Sequence, residues 1–457
     1  MFAIASRAPF RSLTGVIDQV LGISQLGRFD FKSSALSFPA AIENDIKPGR
    51  NPSPRVPASI FKVTSHGRYI ERARRAQQRS TDNSLSYRTP DSIKTRPILF
   101  TVSYLIRARA KMEAIQFSFN DNKKLELIKK PIPTLTDSKQ ILVKVAYSGI
   151  CGTDLHIIEG HFPCNANGLV LGHEFSGVVV EVGSDVTHFK KGDNVAVDPN
   201  NGCGVCHFCH SGDPHYCKSG GINNTIGIYK DGGWAEYVLV PEKQVHKLTD
   251  DITLEQAALT EPISCLSHGW DLISPITMGD KILVTGAGII GNLWVALLHL
   301  QGHRRVTVSE PNNSRRELLK KLNTGFQCIT PDELKERQSK DPDYLFDLII
   351  DCTGSAPAIE HGFSLLNAGG TLCIFGVAPP HAKISISPFE IYKKEIRIVG
   401  VNINPFSFPK SLGFLESLSD RYLKFENLGV KTFALKDYKE ALEDLKKGVI
   451  AKAVFKL

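Results

Sequence analysis

The chain has 457 residues, 42% of them hydrophobic and 22% charged, which is long enough for two or three domains and too balanced for a fibrous or wholly disordered protein. Its formal net charge of +8 is unevenly spread: residues 1–111 hold 19 Lys/Arg against 7 Asp/Glu, leaving 36 against 40 for the rest. The basic excess belongs to the leader, so charge gives no ground for reading the main body as a nucleic-acid binder.

Within the leader, Pro-rich and Ser-rich patches such as 47–57 and the basic run Arg72-Ala73-Arg74-Arg75 carry weak periodicity, which predicts a disordered or loosely helical N-terminal extension over 1–111. Three readings of it compete. The first 17 residues lack acids and contain Arg7 and Arg11, as a mitochondrial transit segment would, but Asp18, Asp30, Glu43 and Asp45 dilute that pattern. A nucleic-acid-binding arm is the second reading, against which a solvated basic tail is the commoner explanation. The third, which we prefer, takes Met112 as the natural start, just before strand-like sequence begins. A cytoplasmic location goes with that reading, and a mitochondrial one with the first. The longest apolar run of the leader, 98–106, is broken by polar residues and falls short of the roughly 18 needed to span a membrane. Ten cysteines without a secretory signal argue against a disulfide framework.

From Met112, short strand-like runs at 140–146, 177–182, 194–197 and 234–240 alternate with Gly/Pro/Asp turns, predicting a mostly β domain over 112–265. Ile-Cys-Gly-Thr-Asp-Leu-His at 150–156 and Leu-Gly-His-Glu-Phe-Ser-Gly at 171–177 supply Cys151, His173 and Glu174. A thiolate, an imidazole and a carboxylate form a ligand set that zinc accepts, and three ligands leave one position open for chemistry. Taken singly, each residue also has an ordinary structural use. Further on, Cys203, Cys206, Cys209 and Cys217 stand at x2, x2, x7 spacing. Two-residue gaps turn neighbouring sulfurs onto one ion, so this lobe predicts a closed, structural zinc site, ranked above an iron–sulfur cluster.

With Gly-His-Glu, Cys-Gly-Thr-Asp-x-His and the four-cysteine lobe, residues 112–457 resemble the zinc-dependent medium-chain alcohol and polyol dehydrogenases. The resemblance implies a GroES-like catalytic domain, with Cys151, His173 and Glu174 on a catalytic zinc. Glu261, in Thr-Glu-Pro-Ile-Ser, corresponds to either a further ligand or an outer carboxylate, and the choice between Glu174 and Glu261 in the inner shell stays open. It also implies that Asp154 hydrogen-bonds the liganding imidazole, although a turn-capping role is an equal reading. Thr153 and His156 correspond to the family's proton shuttle, hydroxyl first and imidazole as relay to solvent. A homo-oligomer, dimer or tetramer, is implied as well.

After Pro275 the pattern turns to strands separated by helical segments, predicting a doubly wound parallel-sheet (Rossmann) domain over 266–400 and an α/β fold for the whole. A strand at 281–285 runs into Gly286-Ala-Gly288-Ile289-Ile290-Gly291 and then an apolar helix at 292–300, the setting in which a glycine turn admits a pyrophosphate. The next strand, 305–310, ends in Glu310, placed to hold ribose hydroxyls and repel a 2′-phosphate. Glu310 favours NAD, while Arg315 and Arg316 pull toward NADP. Runs at 346–352, 371–375 and 396–399 complete the sheet, with the Gly376-Val377 turn approaching the nicotinamide. The chain then returns to the first domain through 401–457, including an amphipathic helix at 435–447.

The leading expectation is an oxidoreductase that carries two zinc ions and passes a hydride from a secondary alcohol to NAD. A polyol of the sorbitol or arabinitol kind is favoured because Glu174 and Glu261-Pro-Ile-Ser look like that branch. L-Threonine 3-dehydrogenase is the alternative; its Trp-rich segment is replaced here by Glu159-Gly-His-Phe-Pro-Cys164. A catalytically silent cofactor-binding protein that docks through the basic leader is the alternative of another class, and the intact ligand set argues against it.

Overall fold

The computed structural model describes residues 110–162, 167–419 and 421–457. The expectations for the leader therefore lie outside the described residues, apart from its last two positions, as does Cys164.

The described residues form three sheets. A small antiparallel sheet places Lys111–Ser118 between Lys124–Pro131 and Asn167–Val170. A second, mixed sheet runs in the order Val430–Phe433, Lys452–Lys456, Gln140–Gly149, Phe175–Val182, Asn194–Val197, Val245–Lys247, with Tyr237–Pro241 also paired to Gln140–Gly149. Alternation explains it: Ile141, Val143 and Val145 face inward with Val179, Val195, Val238 and Val240. The strand expected over 234–240 begins only at Tyr237, because Trp234 leaves the ladder for the core. There it stands edge-on to Phe455 at 5.4 Å and donates its indole N–H to the Gly149 carbonyl at 3.0 Å.

The third sheet is wholly parallel, in the order Gln327–Ile329, Val306–Ser309, Ile282–Thr285, Phe346–Asp351, Leu366–Ile374, Arg397–Gly400. Both of its faces are buried, as doubly wound strands require. Ile282 and Val284 enter one core with Val306, Val308 and helix Ile289–Leu300, while Leu283 enters the other with Ile349, Leu372 and helix Ala356–Ser364. Helix Ile289–Leu300 starts three residues before the expected 292, so the last glycine of the motif lies inside its first turn. A side chain at Gly291 would place its Cβ 2.0 Å from the Gly286 carbonyl oxygen, which is why only glycine lets the helix begin this close to the strand.

Helix Thr260–Ile273 runs through the expected boundary at residue 265. The return begins later than 401: helix Phe408–Ser419 packs its Phe408, Leu415 and Leu418 into the core shared with helix Ile289–Leu300. Only the two strands Val430–Phe433 and Lys452–Lys456, joined by helix Tyr438–Lys447, enter the mixed sheet. Among the described residues no helix is long and apolar enough to cross a membrane.

Trp234 is the largest fully buried side chain of the mixed-sheet region, so Trp234→Ala should lower unfolding stability by about 3–5 kcal/mol. Chemical denaturation followed by circular dichroism checks this; a loss under about 1 kcal/mol, the level of a surface substitution, would show that the core closes without the indole.

Candidate active site

Strand Gln140–Gly149 ends where helix Gly152–Glu159 begins, and Cys151 is the helix N-cap. Asp154, fully buried, does two jobs there. One of its oxygens accepts the Cys151 backbone N–H at 2.8 Å, and the other lies 3.5 Å from His173 Nδ1. The capping contact of Asp154 is thus formed, while its other oxygen lies beside the imidazole without a hydrogen bond. His173 and Glu174 follow the short strand Asn167–Val170 and lead into Phe175–Val182, both buried.

The ligand atoms of Cys151, His173 and Glu174 lie within 4.8 Å of one another. His173 Nδ1 and Asp154 Oδ1 are buried without a hydrogen-bond partner. Burial opposes charging His173, but the Asp154 carboxylate and the Cys151 sulfur outweigh it and hold the imidazole well above its ordinary value. Glu261, in the first turn of helix Thr260–Ile273, is also buried; burial pushes its carboxyl up to about 7, against the pull of His173. Its Oε1 accepts from Cys265 Sγ at 3.5 Å. Glu261 stands beside the trio, which closes without it.

A buried cation that sequence reasoning missed completes the cluster. Lys452 Nζ lies 2.5 Å from Glu174 Oε2 and donates to the Ile150 carbonyl at 3.3 Å. Burial lowers its pKa, yet Glu174 and Cys151 together raise it above the usual lysine value. The signal was a lysine inside the apolar run 449–455, where a solvated residue has no place. Gly149 makes room for the pair, since a Cβ there would sit 2.1 Å from Glu174 Oε2. A thiol and three carboxyl groups around one imidazole and one ammonium leave room and demand for a divalent cation, so these residues fit a zinc ion.

Thr153 Oγ1 lies 3.8 Å from Cys151 Sγ. His156 sits one turn further along the same helix, half-buried, its ring 6.5 Å from that of His161.

The four-cysteine lobe closes on itself. Cys206 and Cys209 sulfurs are 3.6 Å apart, Cys203 and Cys209 sulfurs 4.0 Å, and all four lie within 4.8 Å of one another. The edge of a zinc–thiolate tetrahedron is about 3.8 Å for bonds of about 2.3 Å, whereas a disulfide is about 2.05 Å, so the spacing fits a shared ion and not a bond. The backbone N–H of Cys203 donates to Cys217 Sγ at 3.5 Å and draws that thiol down to about 6.

Across the parallel sheet, a cavity of about 470 Å³ is lined by Gly286, Gly288, Glu310 and Arg315, among others. Glu310 follows strand Val306–Ser309 and is buried, its two oxygens accepting the backbone N–H groups of Ala287 at 2.7 Å and Asn312 at 2.8 Å. Each oxygen keeps a lone pair for a ligand hydroxyl. Arg316 is engaged elsewhere, donating to the carbonyls of Glu310 and Pro311, whereas Arg315 keeps a buried, unpartnered Nε. Ile289 and Ile290 form the first turn of the helix behind the glycines. Gly376 and Val377 stand at the end of strand Leu366–Ile374, Val377 exposed, and do not line this cavity.

Comparison with known proteins agrees with this geometry. The family profile of the alcohol dehydrogenase GroES-like domain matches residues 137–250, and that of the zinc-binding dehydrogenases matches 290–417. The chain is similar to D-arabinitol dehydrogenase 1 of Uromyces fabae, 33% identical over 70% of this chain and 90% of that protein. It is also similar to D-altritol 5-dehydrogenase of Agrobacterium fabrum, 35% identical over 67% and 88%, and to an L-threonine 3-dehydrogenase of Caldanaerobacter subterraneus, 32% identical over 72% and 94%. Among solved structures, a zinc-binding dehydrogenase of Sinorhizobium meliloti bound to NADP superposes with a TM-score of 0.68 at 30% identity, over 76% of this chain and 100% of that one. A GroES-like domain joined to a Rossmann-type sheet, with a zinc-ligand cluster, defines a two-domain nicotinamide-dependent oxidoreductase of CH–OH groups. The chain belongs to the zinc-dependent medium-chain alcohol and polyol dehydrogenase family.

Because the lobe's fold rests on four mutually close sulfurs, Cys217→Ser should lose one zinc per chain and unfold at a lower temperature. Metal counting with calorimetry checks it; an unchanged metal content and melting temperature would mean that the sulfurs hold no ion.

Proposed function

We propose that this protein oxidises a secondary alcohol of a polyol to the ketone with NAD as acceptor, using one catalytic and one structural zinc per chain. The observation that carries the reading is the Cys151–His173–Glu174 cluster, its imidazole and carboxylate buried, with Asp154 behind the imidazole. Cys151, His173 and Glu174 would hold the catalytic ion, Glu261 would stand outside it, and Cys203, Cys206, Cys209 and Cys217 would hold the other. When bound, zinc lowers the pKa of the substrate hydroxyl so that its proton leaves near neutral pH.

Asp154, 3.5 Å from His173 Nδ1, would hold the imidazole with Nε2 left for the ion. Lys452 neutralises one charge of Glu174 and keeps that carboxylate in place. Thr153, its hydroxyl beside the Cys151 sulfur, takes the substrate proton and passes it outward, with His156 as the relay to solvent. Gly286, Gly288 and the helix N-terminus at Ile289, Ile290 and Gly291 receive the pyrophosphate, and Gly376 and Val377 border the nicotinamide end. The free lone pairs of Glu310 support NAD as the acceptor, since they can accept two ribose hydroxyls and repel a phosphate; Arg316 is spent on carbonyls, leaving Arg315 to face the adenosine end. The relatives that act on arabinitol and altritol support a polyol. A dimer or tetramer belongs to the same reading: strand Arg397–Gly400, with its own Ile398 exposed, ends the parallel sheet, and Phe389 and Tyr392 of helix Pro388–Lys394 are exposed as well.

Purified protein should reduce NAD with a member of a polyol panel and lose that activity in EDTA; turnover of L-threonine but of no polyol would replace the substrate assignment, and turnover of neither would remove the reading. Thr153→Val should lower kcat by about 10²- to 10⁴-fold with KM changed little, the range expected for a lost proton-transfer group. Glu310→Ala should lower kcat/KM for NAD and raise the relative use of NADP; an unaltered NAD/NADP ratio would show that Glu310 does not read the ribose.

A further inference from the structure

We propose that His156, Glu159 and His161 form a further cation site, which takes a first-row divalent ion such as Zn²⁺ and closes the proton path when occupied. The motif His-x-x-Glu-x-His places His156 and Glu159 three residues apart on one face of helix Gly152–Glu159. Gly160 then adopts the left-handed conformation, φ 77°, and turns the chain back. The backbone N–H groups of His161 and Phe162 donate to the His156 carbonyl at 2.8 and 3.2 Å, which folds His161 over the helix end. Lys123 ties the turn by donating to the Glu159 carbonyl at 2.6 Å, and Phe162 packs on the core beneath.

The result is a cluster whose three ligand atoms lie within 4.8 Å of one another, apart from the two clusters assigned above. The Glu159 carboxylate is divided between two partners: Oε1 pairs with Lys446 at 2.9 Å, while Oε2 lies 3.5 Å from His161 Nδ1. One carboxylate oxygen is therefore anchored and the other directed at the imidazole. Two imidazoles and one carboxylate select zinc-like ions over magnesium or calcium, which take all-oxygen shells. His161 is exposed and His156 half-buried, so an ion can enter from solvent.

The consequence for turnover rests on the relay reading given above. An imidazole relays a proton through the lone pair of one ring nitrogen, and an ion bound to that nitrogen removes it. Free zinc would then slow oxidation without touching the ion at Cys151.

The test uses the full chain with its resident zinc in place, equilibrated by dialysis against buffered free Zn²⁺, with bound zinc counted and alcohol oxidation measured in the same buffers. The intact protein should bind one more equivalent than His161→Ala and lose rate as that equivalent fills. His161→Ala should keep the zinc-free rate and bind the ion at least about a hundredfold more weakly, a loss at the top of the range for removing only an outer partner. Glu159→Gln should weaken the ion as well, and Lys446→Ala, which frees Oε1, should tighten it. Equal zinc counts in the intact protein and His161→Ala would overturn the site, and an added equivalent that leaves the rate unchanged would overturn its link to the relay. Zinc counts do not depend on turnover, so a protein that oxidises no alcohol yet binds the extra equivalent keeps the site and loses the functional reading.

Discussion

The rest of the molecule is arranged around a concentration of buried acid. Asp154, Glu174 and Glu261, buried, and the half-buried Cys151 share one small region with a single imidazole and a single ammonium. Carboxylates without solvent repel one another and revert to their protonated forms unless positive charge is supplied, and burial has already pushed Glu261 up to about 7. Lys452 supplies one charge. A divalent ion coordinated by the sulfur, the imidazole and a carboxylate would supply the rest, so the cost of gathering these groups and the affinity for the ion are two aspects of one electrostatic fact.

Strand and helix geometry explain why the groups meet. Three strands converge at Gly149: its own, the one begun by Phe175 and the C-terminal one carrying Lys452. The absence of a side chain at 149 lets Glu174 and Lys452 approach across it. The strand then gives way to a helix whose first residue after the cap is Gly152, and Asp154 both caps that helix and reaches His173. One carboxylate thus serves the helix start and borders His173, so loss of Asp154 would disturb the helix start and the buried surroundings of His173 together.

Much of this was legible in the residues. Cys151, His173, Glu174 and the four cysteines lie in short motifs whose spacing encodes their chemistry, and the glycine turn at 286–291 is a local device with a fixed setting. The parallel strands were legible because both their faces are buried, which leaves an unbroken apolar run. Trp234 was misplaced into a strand because an aromatic beside β-branched residues reads as ladder, while its burial and its bond to Gly149 are tertiary facts. Lys452 was missed for the same reason: its partner lies far away in sequence. The start of helix Ile289–Leu300 was set too late because glycine reads as a helix breaker, whereas the close approach to Gly286 requires it inside the first turn.

The contact between Lys452 Nζ and the Ile150 carbonyl joins residues 302 positions apart. The ammonium that offsets Glu174 thus emerges during synthesis only after the entire parallel sheet, which ends with strand Arg397–Gly400, has been made. Until then the acidic cluster lacks its built-in counterion, and strand Gln140–Gly149 lacks one of its neighbours. Assembly of the cluster thereby waits on a strand made after that sheet, so that a chain cut short before Lys452 would carry Cys151, His173 and Glu174 without the ammonium that offsets them.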